Sequence, residues 1–129
     1  MPLVKIEIYK GKNFEYKKAI MNGIHEALVE AFKIPEEDRN QRLYELEEDN
    51  FERKSDRTKN FTIIEITAFK GRSREAKKLL YKKITEKLAN NPGINANDLI
   101  IYLNEVSLEN WGIKGTMGDE VNFGFKIEV

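Results

Sequence analysis

Two stretches of the chain alternate apolar and polar residues with the period of a β-strand. Val4, Ile6 and Ile8 alternate with charged residues near the start of the chain, and Ile64 and Ile66 alternate with polar residues in its middle. A period of two turns successive side chains to opposite faces of a strand. The pattern therefore predicts two strands, each with one face directed at a core.

Each predicted strand is followed by a predicted helix. Gly11 and Gly71 break the strands, and Asn13 and Ser73 follow at matching N-cap positions. Beyond them the apolar residues recur at every third or fourth position, which is the spacing of one helix face. The two stripes comprise Ile20, Ile24, Ala27, Leu28 and Ala31 in the first helix and Ala76, Leu80, Ile84 and Leu88 in the second. We therefore expect two amphipathic helices.

The two halves of the chain resemble each other. A shift of 60 residues (70 − 10) aligns residues 10–18 with residues 70–78 without a gap, and the match continues through both helices. The natural interpretation is two copies of one supersecondary unit, with pseudo-repeats at residues 2–46 and 62–106. Each copy reads strand–helix–strand.

The repeat predicts the fold class. The return strands are expected at residues 41–46 and 99–106, and a strand–helix–strand crossover makes its two strands parallel and right-handed. The chain is thus expected to form a single α+β domain over residues 1–129, in which a tandem β-α-β repeat gives a four-stranded mixed sheet with two helices on one face. Residues 107–129 have no counterpart in the first repeat. Their glycines, and the alternation over residues 121–127, predict a C-terminal arm made of a glycine-rich loop followed by a short strand or hairpin.

One face of the predicted sheet has no helix to cover it. Among its charged residues this face is expected to carry four large apolar or aromatic ones, Leu3, Tyr9, Ile63 and Phe69. Apolar sheet surface is rarely left in water. We therefore expect the chain to form an oligomer.

Composition narrows the classes of function. The chain carries 22 basic and 22 acidic residues, so no excess charge favours nucleic acid or an anionic membrane as a partner. No apolar run approaches the ~18–20 residues of a membrane span, and no signal peptide is recognisable. The chain has no cysteine and only one histidine, so we do not expect a metal site. The absence of cysteine also leads us to expect a cytoplasmic location. Amines, carboxylates and guanidinium groups remain for chemistry.

Pro2 is the first candidate for such chemistry. A small second residue usually allows Met1 to be removed, and the ring nitrogen of Pro2 would then be a secondary amine. An α-amino group titrates near 7.7–8.0 in its reference state, close enough to neutrality to act as an acid or a base. A strand that begins at Pro2 would hold this amine rigidly, although a proline at position two is also common in chains where it has no function.

A second candidate is the turn that leads into the second helix. Arg72 and Arg74 flank the capping hydroxyl of Ser73 beside the free amides of a helix N-terminus. This combination is suited to binding a carboxylate. The alternative is that both arginines are solvated and bind nothing.

Three further residues allow more than one interpretation. Asp38 precedes the second strand, and its counterpart Asp98 at the same place favours a structural role in turn formation. Trp111 lies among glycines and could form the wall of a pocket or anchor the arm to the core. His25 lies beside the apolar stripe of the first helix and is expected to be partly exposed.

These features together resemble the tautomerase superfamily, and within it the branch of malonate semialdehyde decarboxylase. The resemblance is carried by Pro2 at the start of a strand, the doubled strand–helix–strand unit, Asp38 and the Gly-Arg-Ser-Arg turn. It implies that Pro2 is the catalytic amine and that Asp38 orients water or substrate. It further implies that Arg72 and Arg74 bind the substrate carboxylate, that Trp111 belongs to an aromatic wall, and that the protein is a homotrimer.

The function predicted from the sequence is that of a cofactor-independent, tautomerase-like enzyme. Its amine would act as acid or base on small oxo acids, in keto–enol tautomerisation or decarboxylation, with hydratase activity as a further possibility. The alternative is a non-catalytic carboxylate-binding or regulatory module on the same scaffold. Such a module would bind carboxylates through Arg72 and Arg74 and would not need a free Pro2.

Overall fold

The computed structural model describes residues 1–129 and consists of two β-α-β units followed by a short arm. The first unit contains β1 (Pro2–Tyr9), α1 (Phe14–Phe32) and β2 (Gln41–Leu46), and the second contains β3 (Thr62–Phe69), α2 (Arg74–Asn90) and β4 (Leu99–Val106). The arm holds a two-stranded hairpin of β5 (Gly112–Ile113) and β6 (Thr116–Met117). Neither helix is both long enough and apolar enough to cross a membrane.

The four long strands form one mixed sheet in the order β2-β1-β3-β4. Within each unit the strands are parallel, whereas β1 and β3 are antiparallel at the centre. The register repeats with the sequence: Val4 lies opposite Gln41 and, 60 residues later, Ile64 lies opposite Ile101. The predicted fold class is confirmed, and the two units are related by a pseudo-two-fold axis.

Both helices begin at the predicted caps and bury the predicted stripes. The Asn13 side chain accepts a hydrogen bond from the Tyr16 amide at 2.9 Å, and the Ser73 hydroxyl accepts one from the Ala76 amide at 3.1 Å. Every stripe residue is buried in a single core between the helices and the sheet. His25 is buried with them, at 3 % exposure, so the expectation of a partly exposed histidine is wrong. The His25 side chain faces the loop after α1, and its Nε2 atom lies 3.4 Å from a carboxylate oxygen of Glu36.

The two units share a pair of helix-to-sheet ion pairs. Lys17 on α1 reaches Glu45 on β2 at 2.9 Å, and Lys77 on α2 reaches Glu105 on β4 at 2.5 Å. Each pair is the image of the other under the 60-residue shift. They fix the first turns of each helix over the end of its return strand.

The segment between the units folds back onto the end of β1. Phe51 and Phe61 stack with ring centroids 5.2 Å apart, and the Phe51 ring lies 4.6 Å from that of Tyr9. The Tyr9 hydroxyl donates to the Phe51 carbonyl at 2.5 Å. Although the segment is highly charged, these aromatic side chains give it a small core of its own.

The C-terminal arm differs in part from its prediction. The hairpin forms at residues 112–117, and residues 121–127 are not a strand. They keep the burial alternation of one, because odd-numbered residues from 121 to 129 are half-buried and even-numbered ones are exposed. The tail therefore lies extended against the protein, with Phe125 and Val129 on the core, but it pairs with no strand of its own chain.

The face of the sheet opposite the helices is open in part in the single chain. Tyr9 and Phe69, which were expected on the uncovered face, are instead buried by the segment between the units and by the arm. Tyr44, Ile100 and Tyr102 are exposed on its open part. The Lys5 ammonium lies 5.2 Å from the Tyr44 ring centroid, and the Tyr102 hydroxyl donates to Glu65 at 2.7 Å. The face is thus a mixture of aromatic, aliphatic and paired charged groups.

Candidate active site

Three segments that are distant in sequence meet at one end of the sheet. Because β1 and β3 are antiparallel, Pro2 at the start of β1 lies opposite Ala68 at the end of β3. Because β1 and β2 are parallel, the residues before β2 lie at the same end, and the Val4 amide donates to the Asn40 carbonyl at 2.9 Å. The start of the chain, the Asp38 loop and the turn into α2 therefore converge.

The amino group of the chain contacts Asp38. The Met1 ammonium donates a hydrogen bond to one carboxylate oxygen of Asp38, and the side-chain Nδ2 of Asn40 donates to the other at 3.0 Å. Pro2 follows directly and is buried at the start of β1. An amine and a carboxylate are thus neighbours at this end of the sheet.

Arg72 provides the positive charge of the site. It is 6 % exposed, its Nη1 donates to the Phe69 carbonyl at 3.1 Å, and its guanidinium carbon lies 4.8 Å from the Phe32 ring centroid. Its Nε and Nη2 atoms are buried and have no hydrogen-bond partner. A buried donor without a partner costs about 1–3 kcal/mol, so these two atoms are poised to bind an acceptor that the chain does not provide.

The charge on Arg72 is under opposing influences. Burial lowers the pKa of the guanidinium, while the carboxylates of Glu105 and Asp38 act against that shift. An arginine keeps its proton at neutral pH even so. The site therefore holds a poorly solvated cation, which favours an anionic ligand.

Arg74 occupies different surroundings from Arg72. It is exposed at the first residue of α2 and lines a groove of about 470 Å³ together with Lys77, Lys78 and Tyr81. Within one chain, Arg72 packs inwards on the core while Arg74 faces this basic groove. A receptor that uses both guanidinium groups stays a prediction.

Trp111 anchors the arm beside the site. Its indole N–H donates to the Val106 carbonyl at 3.1 Å, and its ring meets Phe69 edge-on at a centroid distance of 4.8 Å. Phe123 of the tail contacts the same Phe69 ring at 4.6 Å. Phe69 is therefore common to both features, since its ring packs on Trp111 and its backbone carbonyl accepts from Arg72. Both interpretations of Trp111 are compatible with its position.

The C-terminal tail covers the turn on both sides of Arg72. The Ser73 amide donates to the Val129 carbonyl at 3.3 Å. Gly71 has φ of +139°, and a side-chain carbon at this position would lie 3.3 Å from atoms of both Ile127 and Glu128. The sequence gives no sign of this contact.

The equivalent end of the other unit is closed by the chain itself. Lys12, the counterpart of Arg72, donates to the Asn60 side chain at 2.5 Å and lies 4.9 Å from the Tyr16 ring centroid. Burial, with a smaller contribution from Asp98, raises the pKa of Tyr16 to about 12. Each chain therefore carries one candidate site, at the Arg72 end.

The chemistry available at the site is that of an amine, a carboxylate and a guanidinium group. No cluster of three or more histidine, aspartate or glutamate side chains could hold a metal ion. Sequence reasoning named Pro2, Asp38, Arg72, Arg74 and Trp111 as candidates and did not point to Phe32 or Phe69. In the sequence, Phe32 is simply the last apolar residue of the first helix. No local pattern indicates that its ring lies against the Arg72 guanidinium.

Comparison with known proteins gives consistent matches over almost the whole chain. Two family models, each described as "Tautomerase enzyme", match residues 2–58 and residues 38–114. The probable tautomerases YrdN and YusQ of Bacillus subtilis (strain 168) are each 30 % identical over 116 residues. These alignments cover 86 % of this chain and 89 % and 91 % of the two relatives.

Solved structures share the fold. Malonate semialdehyde decarboxylase, described with decarboxylase and hydratase activities, is 26 % identical with a TM-score of 0.79, and the match covers 84 % of this chain and 88 % of that one. FG41 malonate semialdehyde decarboxylase inhibited by 3-bromopropiolate is 29 % identical, with a TM-score of 0.78 and coverage of 84 % and 86 %. A fused 4-OT that forms an asymmetric trimer has a TM-score of 0.81 at 18 % identity, covers 91 % of this chain and 96 % of its own, and resembles it in fold.

Proposed function

The chain belongs to the tautomerase superfamily and is a tautomerase-like enzyme, and on that premise we propose that it acts on small oxo acids without a cofactor. The reaction is keto–enol tautomerisation or decarboxylation, with the Pro2 nitrogen as acid or base. One observation carries the proposal. The N-terminal amino group contacts the Asp38 carboxylate at the end of the sheet that also holds the Arg72 guanidinium, two of whose buried N–H groups have no partner.

The proposal requires that Met1 is removed. While Met1 is present the Pro2 nitrogen is an amide, and its removal turns that nitrogen into a secondary amine of roughly neutral pKa. The amine would be held by β1, where Pro2 is buried and paired opposite Ala68. It would take over the place of the Met1 ammonium next to Asp38.

The substrate is held by its carboxylate. Arg72 offers two buried N–H groups that lack a partner, and a carboxylate accepts such a pair side by side. Arg74 extends the positive charge along the start of α2, and Trp111, packed edge-on against the buried Phe69 ring, would provide an apolar wall for the rest of the molecule. The oxo group would then face Pro2 and Asp38.

The protonation state of Pro2 determines the reaction. A neutral amine removes a proton beside the oxo group and returns it elsewhere, which is tautomerisation. A protonated amine acts as an acid or as an electrostatic catalyst while carbon dioxide leaves. Asp38 favours the charged amine and Arg72 disfavours it, and one charge at ~4 Å is worth about 4 kcal/mol at an effective dielectric of 20.

The assembly we propose is a cytoplasmic homotrimer. The open face of the sheet, with Tyr44, Ile100 and Tyr102 exposed, supports association because such a surface is rarely left in water. Similar fused 4-OT structures are trimers. Light scattering of the purified protein is expected to give the mass of three chains.

The decisive experiment compares the wild-type protein with a Pro2→Ala variant. Both are assayed with phenylpyruvate, for tautomerisation, and with malonate semialdehyde, for decarboxylation. The intact mass of each preparation shows whether Met1 is absent. We expect turnover of at least one substrate by the wild type and a loss of about 100-fold or more in the variant, the usual contribution of a general acid or base.

Two outcomes would overturn the proposal. One is equal turnover in the two proteins. The other is a wild type from which Met1 is absent and which binds carboxylates without converting any oxo acid, as a non-catalytic binding module would. A Pro2→Gly variant guards against a local effect of the alanine side chain.

A further inference from the structure

Phe32 and Arg72 form a buried cation–π pair. The guanidinium carbon lies 4.8 Å from the ring centroid, within the range of about 6 Å over which such pairs attract. Phe32 is 1 % exposed and Arg72 is 6 % exposed, so little water screens the contact. A planar guanidinium stacks well on an aromatic ring, and the ring therefore sets the plane in which Arg72 lies.

The Phe69 carbonyl restricts the rotation that the stacking on Phe32 still allows the guanidinium group. It accepts a hydrogen bond from Nη1 at 3.1 Å, which fixes the rotation of the group within its plane. The two contacts leave the Nε and Nη2 edge without a partner. That edge presents two parallel N–H groups, the arrangement that binds one carboxylate in a bidentate manner.

Neither member of the pair occurs in the other repeat. The 60-residue shift takes Arg72 to Lys12 and Phe32 to Pro92. Lys12 also lies over an aromatic ring, that of Tyr16, but its ammonium group is paired with Asn60 at 2.5 Å. The stacked cation with an open edge is therefore a feature of the candidate site and not a general feature of the β-α-β unit.

We propose that Phe32 is a positioning residue that orients Arg72 for bidentate binding of a substrate carboxylate. The inference rests on the proposed function, because it assigns the open edge of Arg72 to the substrate. Phe32 itself touches no reacting atom. The edge is buried in the single chain, so binding of a carboxylate requires that the groups covering it move.

The test uses Phe32→Leu and Phe32→Met, with Phe32→Tyr as the variant that keeps the ring. Phe61→Leu is the matched control, because the Phe61 ring also lies under an arginine, Arg57, at 5.0 Å but belongs to the separate cluster at Tyr9. KM and kcat are measured with whichever oxo acid the wild type converts. The dissociation constant of phenylacetate, a carboxylate with no oxo group, is measured by calorimetry, and urea denaturation reports folding.

We expect Phe32→Leu and Phe32→Met to raise KM and the phenylacetate dissociation constant about 10-fold, as for loss of a desolvated cation–π contact, with kcat changed less than twofold. Phe32→Tyr, which keeps the aromatic ring, should keep the wild-type affinity for phenylacetate. Phe61→Leu should lose stability without losing affinity. Unchanged affinity in the folded Phe32→Met variant, or an equal loss in Phe61→Leu, would overturn the inference.

Failure of the proposed function is distinguishable from failure of this inference. A wild type that converts no oxo acid but binds phenylacetate ten times more tightly than Phe32→Met refutes the enzyme proposal and supports the positioning role. If the wild type converts an oxo acid and the Phe32→Met variant has the same KM for it, the enzyme proposal is supported and the positioning role of Phe32 is refuted.

Discussion

Asp38 and Asp98 occupy the same backbone turn in the two repeats, yet their carboxylates serve different partners. The Asp38 amide donates to the Pro35 carbonyl at 3.1 Å, and the Asp98 amide donates to the Asn95 carbonyl at 2.8 Å. The Asp98 carboxylate is buried and accepts hydrogen bonds from the Thr58 amide and hydroxyl at 2.8 and 2.5 Å. Asp38 instead meets the amino group of the chain.

This difference predicts that the same substitution affects stability to different extents at the two positions. Asp98→Asn should lower the free energy of unfolding by about 2 kcal/mol, because it weakens two buried hydrogen bonds to a charged acceptor. Asp38→Asn should lower it by less than about 1 kcal/mol, the range of a partly exposed ion pair. Urea denaturation at neutral pH measures both values.

Enzyme assays of the same two variants complete the comparison. Asp38→Asn should lose most of its activity on oxo acids, whereas Asp98→Asn should keep its activity at temperatures where it is folded. Equal destabilisation by the two substitutions would show that the two carboxylates have the same role.

Tyr16 predicts a dependence of stability on alkaline pH. Its hydroxyl is buried without a partner, and burial raises its pKa to about 12, compared with about 10 in an unfolded chain. The folded protein therefore holds this proton more tightly than the unfolded one does. The resulting stability is fully present below pH 10 and is lost as the pH rises through 12.

Tyr16→Phe should remove the part of the pH dependence of stability that comes from the Tyr16 hydroxyl. At neutral pH the variant should be as stable as the wild type, or more stable by about 1 kcal/mol, because a buried hydroxyl without a partner is eliminated. Between pH 10 and 11 its urea midpoint should fall less than that of the wild type. Parallel curves for the two proteins would contradict the prediction, and lysine titration cancels in the comparison.

Gly71 and Gly11 allow a test of the tail contact. Both have a positive φ, of +139° and +117°, so alanine at either position should cost about 1 kcal/mol or more in backbone strain. A side-chain carbon at Gly71 also presses on Ile127 and Glu128, whereas one at Gly11 meets no atom within 4 Å. Gly71→Ala alone should therefore loosen the tail.

Hydrogen exchange is the measurement for this pair of variants. Amides of residues 125–129, and the Ser73 amide that donates to Val129, should exchange faster in Gly71→Ala than in Gly11→Ala. Faster exchange of the tail to the same extent in both variants would mean that it reports general destabilisation and not a local contact.

Most of the fold can be predicted from local patterns in the sequence. The period of two, the period of 3.6, the caps and the 60-residue repeat together specify the strands, the helices and their parallel pairing. The strand expected at residues 121–127 failed for a physical reason. Its alternation is real, but the sequence cannot show whether a strand edge is free to receive it.

The candidate site was accessible to sequence reasoning only where a residue has chemical character of its own. Pro2, Asp38 and Arg72 were recognised in this way. The contact of Phe32 with Arg72 depends on how the end of α1 packs against the turn after β3, and that distance in space has no local signature. The burial of His25 was missed for the same reason.

Both chain ends lie beside residues of the candidate site: Met1 contacts Asp38, and Val129 contacts Ser73 next to Arg72. A purification tag at the N-terminus would cap the nitrogen of Pro2, and one at the C-terminus would pull on the segment beside Arg72. Fusion partners, fluorophores and surface tethers should therefore be placed in the exposed turn at residues 54–56, on the loop between the two units.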